Sequence, residues 1–370
     1  METVMNFKQL LILITILCSL LPAIPLEAGE YYTLEEYIIL HPGEKLLEES
    51  FNKLVKKNIV ERLDKQFSPK IAVVCPGKQI SDYWRRSCRS LESRIKQYGI
   101  IPRIHRFFIK PTAPLGKQSA VFHKALETNP DYLIFTLDAS RHQRMIESIL
   151  VAGKPKVILQ NITTPLKIWE GKQPFMYVGF DHAQGTQMLA KYFARKTGGH
   201  GKYAVFLPDP GHLNKERGGT FISYMDKYTS LKLAAVFRTG IDKEKARLAA
   251  LKIAEHHPDI KFIYACSTDI ALGAIEGLRE KGLLNRIMVN GWGGGSPEID
   301  AIKKGELEVT VMRINDDNGV AMADAIILDM LGKNSQIPLV FSGRFEILDK
   351  RVNAKRLQRL QQESFRYSGN

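Results

Sequence analysis

Four cysteines in 370 residues are too few for a disulfide framework. After residue 21 no apolar run approaches the ~20 residues that a spanning helix needs, which excludes a polytopic membrane protein. No basic run carries interleaved aromatics, so the sequence offers no groove for single-stranded nucleic acid. It contains no Gly-x-Ser-x-Gly elbow, no P-loop and no His-Glu-x-x-His. The nearest approach to a dinucleotide fingerprint, Gly291-Trp292-Gly293-Gly294-Gly295-Ser296, ends in Ser and lies late in the chain. His256-His257 precedes Pro258 in a loop, with no further ligand at useful spacing. Asp316-Asp317 reads as a helix cap rather than a metal site. Without a nucleophile beside a base, the chain reads as a non-enzyme that requires no cofactor.

Its length suggests two to three domains at about 150 residues each. Apolar residues at 44% and charged residues at 25% are ordinary for a globular protein and exclude a disordered one. The formal charge is +14, and the basic residues are spread along the chain rather than gathered in one stripe. That suits a soluble basic protein, or a field that draws in a small anion.

Lys8, the apolar run Leu10–Leu17 and its extension to Pro22 have the order of a secretory signal peptide, and Ala28 offers a small residue at the cleavage position. Residues 1–28 are therefore assigned as a signal peptide, with an uncleaved N-terminal anchor as the alternative. A lipoprotein reading through Cys18 is weakened by bulky Leu17 before it. Cleavage removes Glu2, Lys8 and Glu27 and raises the net charge from +14 to +15. It leaves Cys75, Cys88 and Cys266. Two of these lie in apolar strand-like runs and read as buried thiols. Cys75 and Cys88 are the pair to test for a bond.

Residues 29–69 read as a helical extension with two helices, Tyr31–Leu40 and Glu44–Leu63, broken at His41-Pro42-Gly43. Leu47, Phe51, Leu54 and Val55 share one face of the second. From Lys70 onward short β-branched runs alternate with helical patterns, which predicts parallel sheets covered on both faces. In one helix Ser81 is the expected cap, and Trp84, Cys88, Leu91, Ile95 and Tyr98 form the buried stripe. The chain also repeats weakly. Lys70–Pro76 matches Lys202–Pro208, and Asn129-Pro130-Asp131 matches His257-Pro258-Asp259, at offsets of 132 and 128. Nearly equal offsets predict two lobes of like topology. The expected layout places residues 70–180 and 314–342 in lobe 1, and residues 181–313 and 343–370 in lobe 2.

Open parallel sheets bind ligands beyond the C-terminal ends of their strands. Those positions hold Pro76–Trp84, Thr136–Arg141, Gln160–Thr164, Arg217, Ser267–Asp269, Asn290–Gly295 and Arg313–Asp317. The mixture of amides, hydroxyls, indoles and guanidinium groups suits a small polyhydroxylated ligand. Each has a plainer reading. Trp84 also fits a core stripe; Ser81, Asp138 and Thr268 also fit helix caps; a single Arg also fits a solvated surface.

At these strand ends the sequence resembles the type I periplasmic binding proteins of the ribose-binding class, and within them the LuxP-like autoinducer-2 receptors. The runs that carry the likeness are Pro76–Trp84, Tyr132–His142, Ile158–Pro165, Tyr177–His182, Phe262–Gly273, Val289–Ser296, Thr310–Asp317 and Phe365–Asn370. The resemblance implies a periplasmic receptor in two doubly wound α/β lobes joined by a three-stranded hinge. The implied ligand is autoinducer-2 as a furanosyl borate diester, and the implied partner is the periplasmic domain of a LuxQ-like hybrid sensor histidine kinase. The pocket it implies is formed by Gln79, Ser81, Trp84, Thr136, Asp138, Asn161, Arg217, Thr268, Trp292 and Arg313. The surroundings of Arg217 depart most from the pattern. A sugar-binding protein that feeds an ABC importer shares the fold and is the alternative function. A DNA-binding regulator with the same core would need a helix-turn-helix where this chain has its signal-like segment.

Overall fold

In the computed structural model, residues 30–369 are described except 59, 65–66, 78, 110–112 and 137–139. The signal-like segment and Asp138 lie outside the described residues.

The first strand shows why the core forms where it does. In β1 (Lys70–Pro76) successive side chains point to opposite faces of a sheet. Ile71, Val73 and Cys75 enter one apolar cluster, and Ala72 and Val74 enter another. A strand buried on both faces must be apolar throughout, as this one is. Its neighbours are β2 (Arg103–Ile109) and β3 (Tyr132–Phe135), followed outward by β4 (Lys156–Gln160), β5 (Met176–Gly179) and, much later in the chain, β11 (Val340–Ser342). All these pairings are parallel.

The second sheet repeats the plan. Its strand β6 (His200–Leu207), the counterpart of β1 in the sequence repeat, sits between β7 (Ser230–Arg238) and β8 (Phe262–Ala265). Then come β9 (Met288–Gly293), β10 (Val309–Arg313) and an antiparallel edge, β12 (Phe345–Asp349). The chain passes between the lobes at Phe180-Asp181, Arg313-Ile314 and Ser342-Gly343. Two bonds tie these crossings: Gly343 N–H donates to Gly179 O (2.8 Å) and Ile314 N–H to Arg344 O (3.0 Å). A Cβ at Gly343 would lie 2.5 Å from the Phe180 ring, so the crossing strands approach closely because this residue is glycine.

The extension is stitched to lobe 1. Its helices are α1 (Leu34–Leu40) and α2 (Pro42–Val55). Pro42 opens α2 rather than ending its predecessor, because a proline at the first helical position loses no needed hydrogen bond. The second helix also ends at Val55, not Leu63. Phe51 and Val55 enter the lobe 1 core, while Glu44 and Glu48 accept the backbone N–H groups of Leu339 and Ser342.

Helix α3 (Tyr83–Gln97) buries its predicted stripe, but Ser81 does not cap it. The cap position belongs to Asp82, whose carboxylate binds Arg86 and Ser296 instead. Arg94 of α3 is wholly buried and meets Asp324 through both carboxylate oxygens, at 2.8 and 3.0 Å. Asp324 belongs to α11 (Asp316–Met330), which is buried along most of its length between α3, α2 and the sheet. Arg94 also donates to the carbonyls of Leu54 and Lys57 and to the Tyr367 hydroxyl. Asp316 and Asp317 do not cap α11: they hold the C-terminal tail through Tyr367, Ser368 and Arg366. Cys75, Cys88 and Cys266 are buried free thiols, so Cys75 and Cys88 are neighbours with no disulfide between them. Among the described residues no helix is long and apolar enough to cross a membrane.

Candidate functional site

The C-terminal ends of the strands of both sheets face one cleft. Gln79, Ser81, Trp84, Thr136, Asn161, Arg217, Thr268, Trp292 and Arg313 all line it, around a free core of about 60 Å³. Tyr83, Leu213, Ile241, Ser267 and Asp269 line it too. Residue order had already brought Tyr83, Ser267 and Asp269 to the strand ends, but periodicity cannot tell which side of a turn faces a cleft.

Local structure explains each placement. The loop after β1 turns Trp84 inward at the first turn of α3, where its indole Nε1–H donates to Gln79 Oε1 (3.0 Å). Asn161 follows β4 with φ of 68°, a left-handed conformation that asparagine tolerates better than most residues. Ser267, not Thr268, caps helix α9 (Thr268–Glu280), which leaves Thr268 in the first turn against the cleft. Arg217 sits on a π-helical turn, Asn214–Gly219, ahead of α7 (Thr220–Tyr228). Gly218 lies in that turn, and a Cβ there would meet Leu207 at 2.3 Å.

The two arginines dominate the electrostatics. Arg217 is 3% exposed and Arg313 is 5% exposed. Arg217 lies over the Trp292 ring at 3.4 Å, and Arg313 over Tyr83 at 4.4 Å and Trp292 at 4.9 Å. Neither has a carboxylate ion-pair partner among the described residues. Their Nε atoms, with Asn161 Oδ1, are buried without hydrogen-bond partners there. The nearby Glu298 carboxylate is already occupied by Trp292 N–H, Gly294 N–H and the Thr310 hydroxyl. Burial, and then the charge of Arg313, pushes the Arg217 guanidinium well below its ordinary value. Burial lowers Arg313 as well. Two buried cations set over the same indole are a costly arrangement that an anion would relieve.

Direct bonds cross between the lobes at the rim. Asp269 of lobe 2 accepts Ile80 N–H at 2.9 Å, and Thr164 meets His212 at 2.9 Å. Asp82 accepts Ser296 N–H at 3.2 Å, and Arg86 donates to Ser296 Oγ at 2.8 Å. A Cβ at Gly295 would lie 2.2 Å from Asp82 Oδ1, so a side chain there would push the Asp82 carboxylate out of this arrangement.

Comparison with known proteins follows the same architecture. A family model described as a periplasmic binding protein domain matches residues 71–334. A curated relative, the ribose import binding protein RbsB of Bacillus subtilis, is 27% identical over 198 residues, covering 53% of this chain and 62% of RbsB. The RbsB of Salmonella typhimurium is 26% identical and covers 41% of this chain and 52% of the relative. This chain thus spans only about half to three-fifths of the length of these curated relatives. Among solved structures, a periplasmic solute binding protein of an ABC transporter from Actinobacillus succinogenes, with bound D-allose, aligns at a TM-score of 0.66 and 23% identity, covering 76% of this chain and 98% of that one. The fructose binding periplasmic domain of a hybrid two component system aligns at 0.66 and 18% identity, covering 78% and 93%. At these identities the structures speak for the fold alone.

Proposed function

The chain belongs to the periplasmic binding protein family, and from that premise we propose that it is a LuxP-like receptor for autoinducer-2 in its furanosyl borate form. The observation that carries this reading is the buried pair Arg217 and Arg313, which faces the cleft with no carboxylate ion-paired to either arginine among the described residues. A neutral sugar needs no such pair, because its hydroxyls are served by amides, hydroxyls and carboxylates. A tetrahedral borate adduct carries one negative charge, and its oxygens suit guanidinium N–H groups. The first turns of α3 and α9 also face the cleft, through Tyr83-Trp84 and Thr268-Asp269, and helix N-termini favour anions. Gln79, Ser81, Thr136, Asn161 and Thr268 would take the hydroxyls, the Trp84 ring would cover a C–H face, and Trp292 would serve as the platform on which Arg217 lies.

On this reading the protein acts in the periplasm, delivered there by its signal-like segment. It reports to the periplasmic domain of a hybrid sensor kinase. Exposed Ile39, Leu40 and Leu46 on the extension supply an apolar surface for that contact. A second reading, delivery of a pentose or hexose to an ABC importer, draws on the ribose import proteins among the relatives.

Calorimetric titration with the furanone precursor, with and without borate, separates the two. The receptor reading expects tight binding only in borate. Equal affinity in both buffers, or tighter binding of ribose, would overturn it.

A further inference from the structure

One buried histidine stands behind the arginine pair. His182 opens helix α6 (His182–Thr197), directly after the Phe180-Asp181 crossing, and is 4% exposed. Its Nδ1 lies 3.2 Å from Arg217 Nη2, and its Nε2 lies 3.0 Å from the carbonyl oxygen of Asn161. The chemistry of those partners fixes the proton. A guanidinium nitrogen can only donate, so Nδ1 must accept; a carbonyl can only accept, so Nε2 must carry the hydrogen. The Arg217 guanidinium has one other hydrogen bond among the described residues, from Nη1 to Cys266 O (2.7 Å). His182 is therefore one of two hydrogen-bond acceptors that, among the described residues, aim this guanidinium. It also packs edge-on against Trp292, with ring centroids 5.3 Å apart. At its other end it grips the left-handed turn at Asn161. One imidazole thus connects a lobe 1 strand end, the hinge and a lobe 2 arginine.

We propose that His182 is a positioning residue for the anion site: as a neutral Nε2–H imidazole it orients Arg217 and couples it to Asn161, and protonation disconnects the two. The inference rests on the reading of Arg217 as a ligand-binding group. A proton on Nδ1 would place two donors face to face at 3.2 Å, and Arg217 would have to turn away.

The charged groups that bear on His182 are Arg217 and Arg313, and the titratable neighbour is His212, itself held down to about 4 by burial; with burial foremost, they push the His182 imidazole well below the usual histidine range. Asp181, on the same turn, sends its carboxylate to Gln184 N–H, and Glu216 lies beyond it. Since the neutral form is favoured in the folded protein, the relay is intact at neutral pH. It fails only well below the ordinary histidine pKa.

Three variants test this: His182→Gln, whose amide can accept at one end and donate at the other; His182→Leu, which can do neither; and His212→Gln, a control for the other nearby histidine. The first readout needs no ligand. Nitrogen NMR of the wild-type protein should show protonated Nε2 and bare Nδ1, and the Arg217 side-chain resonances should move as His182 titrates. The second is affinity for the furanone precursor in borate. At neutral pH His182→Leu should bind roughly tenfold or more weakly, the loss expected for a hydrogen bond to a charged group, and His182→Gln should recover most of it. Acid also changes borate chemistry, so pH effects are read as the affinity ratio of wild type to His182→Gln, in which the ligand's own titration cancels. That ratio should fall on acidification, and in the His212→Gln background it should fall equally. The opposite tautomer, wild-type affinity in His182→Leu, or a ratio that is flat or rises would overturn the proposal. If wild type does not bind the probe, the ligand reading fails, and the NMR measurement alone decides the role of His182.

Discussion

Among the described residues Arg313 has no hydrogen-bond partner at Nε, yet it is buried against three aromatic rings. Such a side chain gains little from its own protein and much from an incoming anion. Arg313→Ala should therefore cost about 2–5 kcal/mol of ligand affinity, the range for truncating one partner of a buried charge pair. Arg313→Lys keeps the charge but loses the planar fork, and should also bind poorly. Calorimetry on both variants, with circular dichroism to confirm folding, checks this; an alanine variant that bound normally would remove the anion site. Arg94 makes the opposite case. It is as deeply buried, but every direction is answered: Asp324, the carbonyls of Leu54 and Lys57, and the Tyr367 hydroxyl. It belongs to stability. Arg94→Ala leaves Asp324 buried and unpaired and should lower unfolding free energy by about 3–5 kcal/mol in a denaturant titration, with ligand contacts untouched.

Among elements, the N-terminal pair of helices has a different standing from the one its sequence suggests. Phe51 and Val55 fill part of the lobe 1 core, and two glutamates of α2 answer backbone donors around β11. Deleting it would expose that core, so any docking role is better tested by single substitutions at Ile39 or Leu46. The rim of the cleft carries its own device. Gly295 lets Ser296 N–H reach Asp82, and a methyl group there would collide with the carboxylate. Because φ at Gly295 is −69°, Gly295→Ala introduces no backbone strain, only bulk at the closing contact. The variant should fold with unchanged stability and bind ligand more weakly, because part of the binding energy must separate Asp82 from the new methyl. Equal affinity in titration would show that the lobes close without this contact.

At the scale of the molecule, two sheets of matching order meet across one cleft and share three crossings. A ligand that touches both lobes binds the closed arrangement better and shifts the population toward it. Small-angle scattering should show compaction on loading the wild-type protein, and a larger apo radius for Asp269→Ala, which loses the bond to Ile80 N–H. Identical profiles with and without saturating ligand would remove the clamshell mechanism. Much of this plan was legible in the sequence, because its causes are local. Strands buried on both faces must be apolar, helices beside them must carry a stripe, and the repeat of Lys70–Pro76 at Lys202–Pro208 marks the same strand position in each sheet. The same logic picked out the strand-end runs, and the family resemblance chose the ten candidates within them; nine of these line the cleft, and the tenth, Asp138, lies outside the described residues. Ser81 and Thr268 could be read as caps or as cleft residues, and Asp316 as a cap or something else. Spacing alone does not distinguish a side chain bonded within its own turn from one bonded to a residue far along the chain. Asp316 holds Ser368, Asp82 holds Ser296 and His182 joins Asn161 to Arg217. Those partners are far apart or register-dependent in sequence, and only the packing of lobe on lobe brings them within a hydrogen bond of each other.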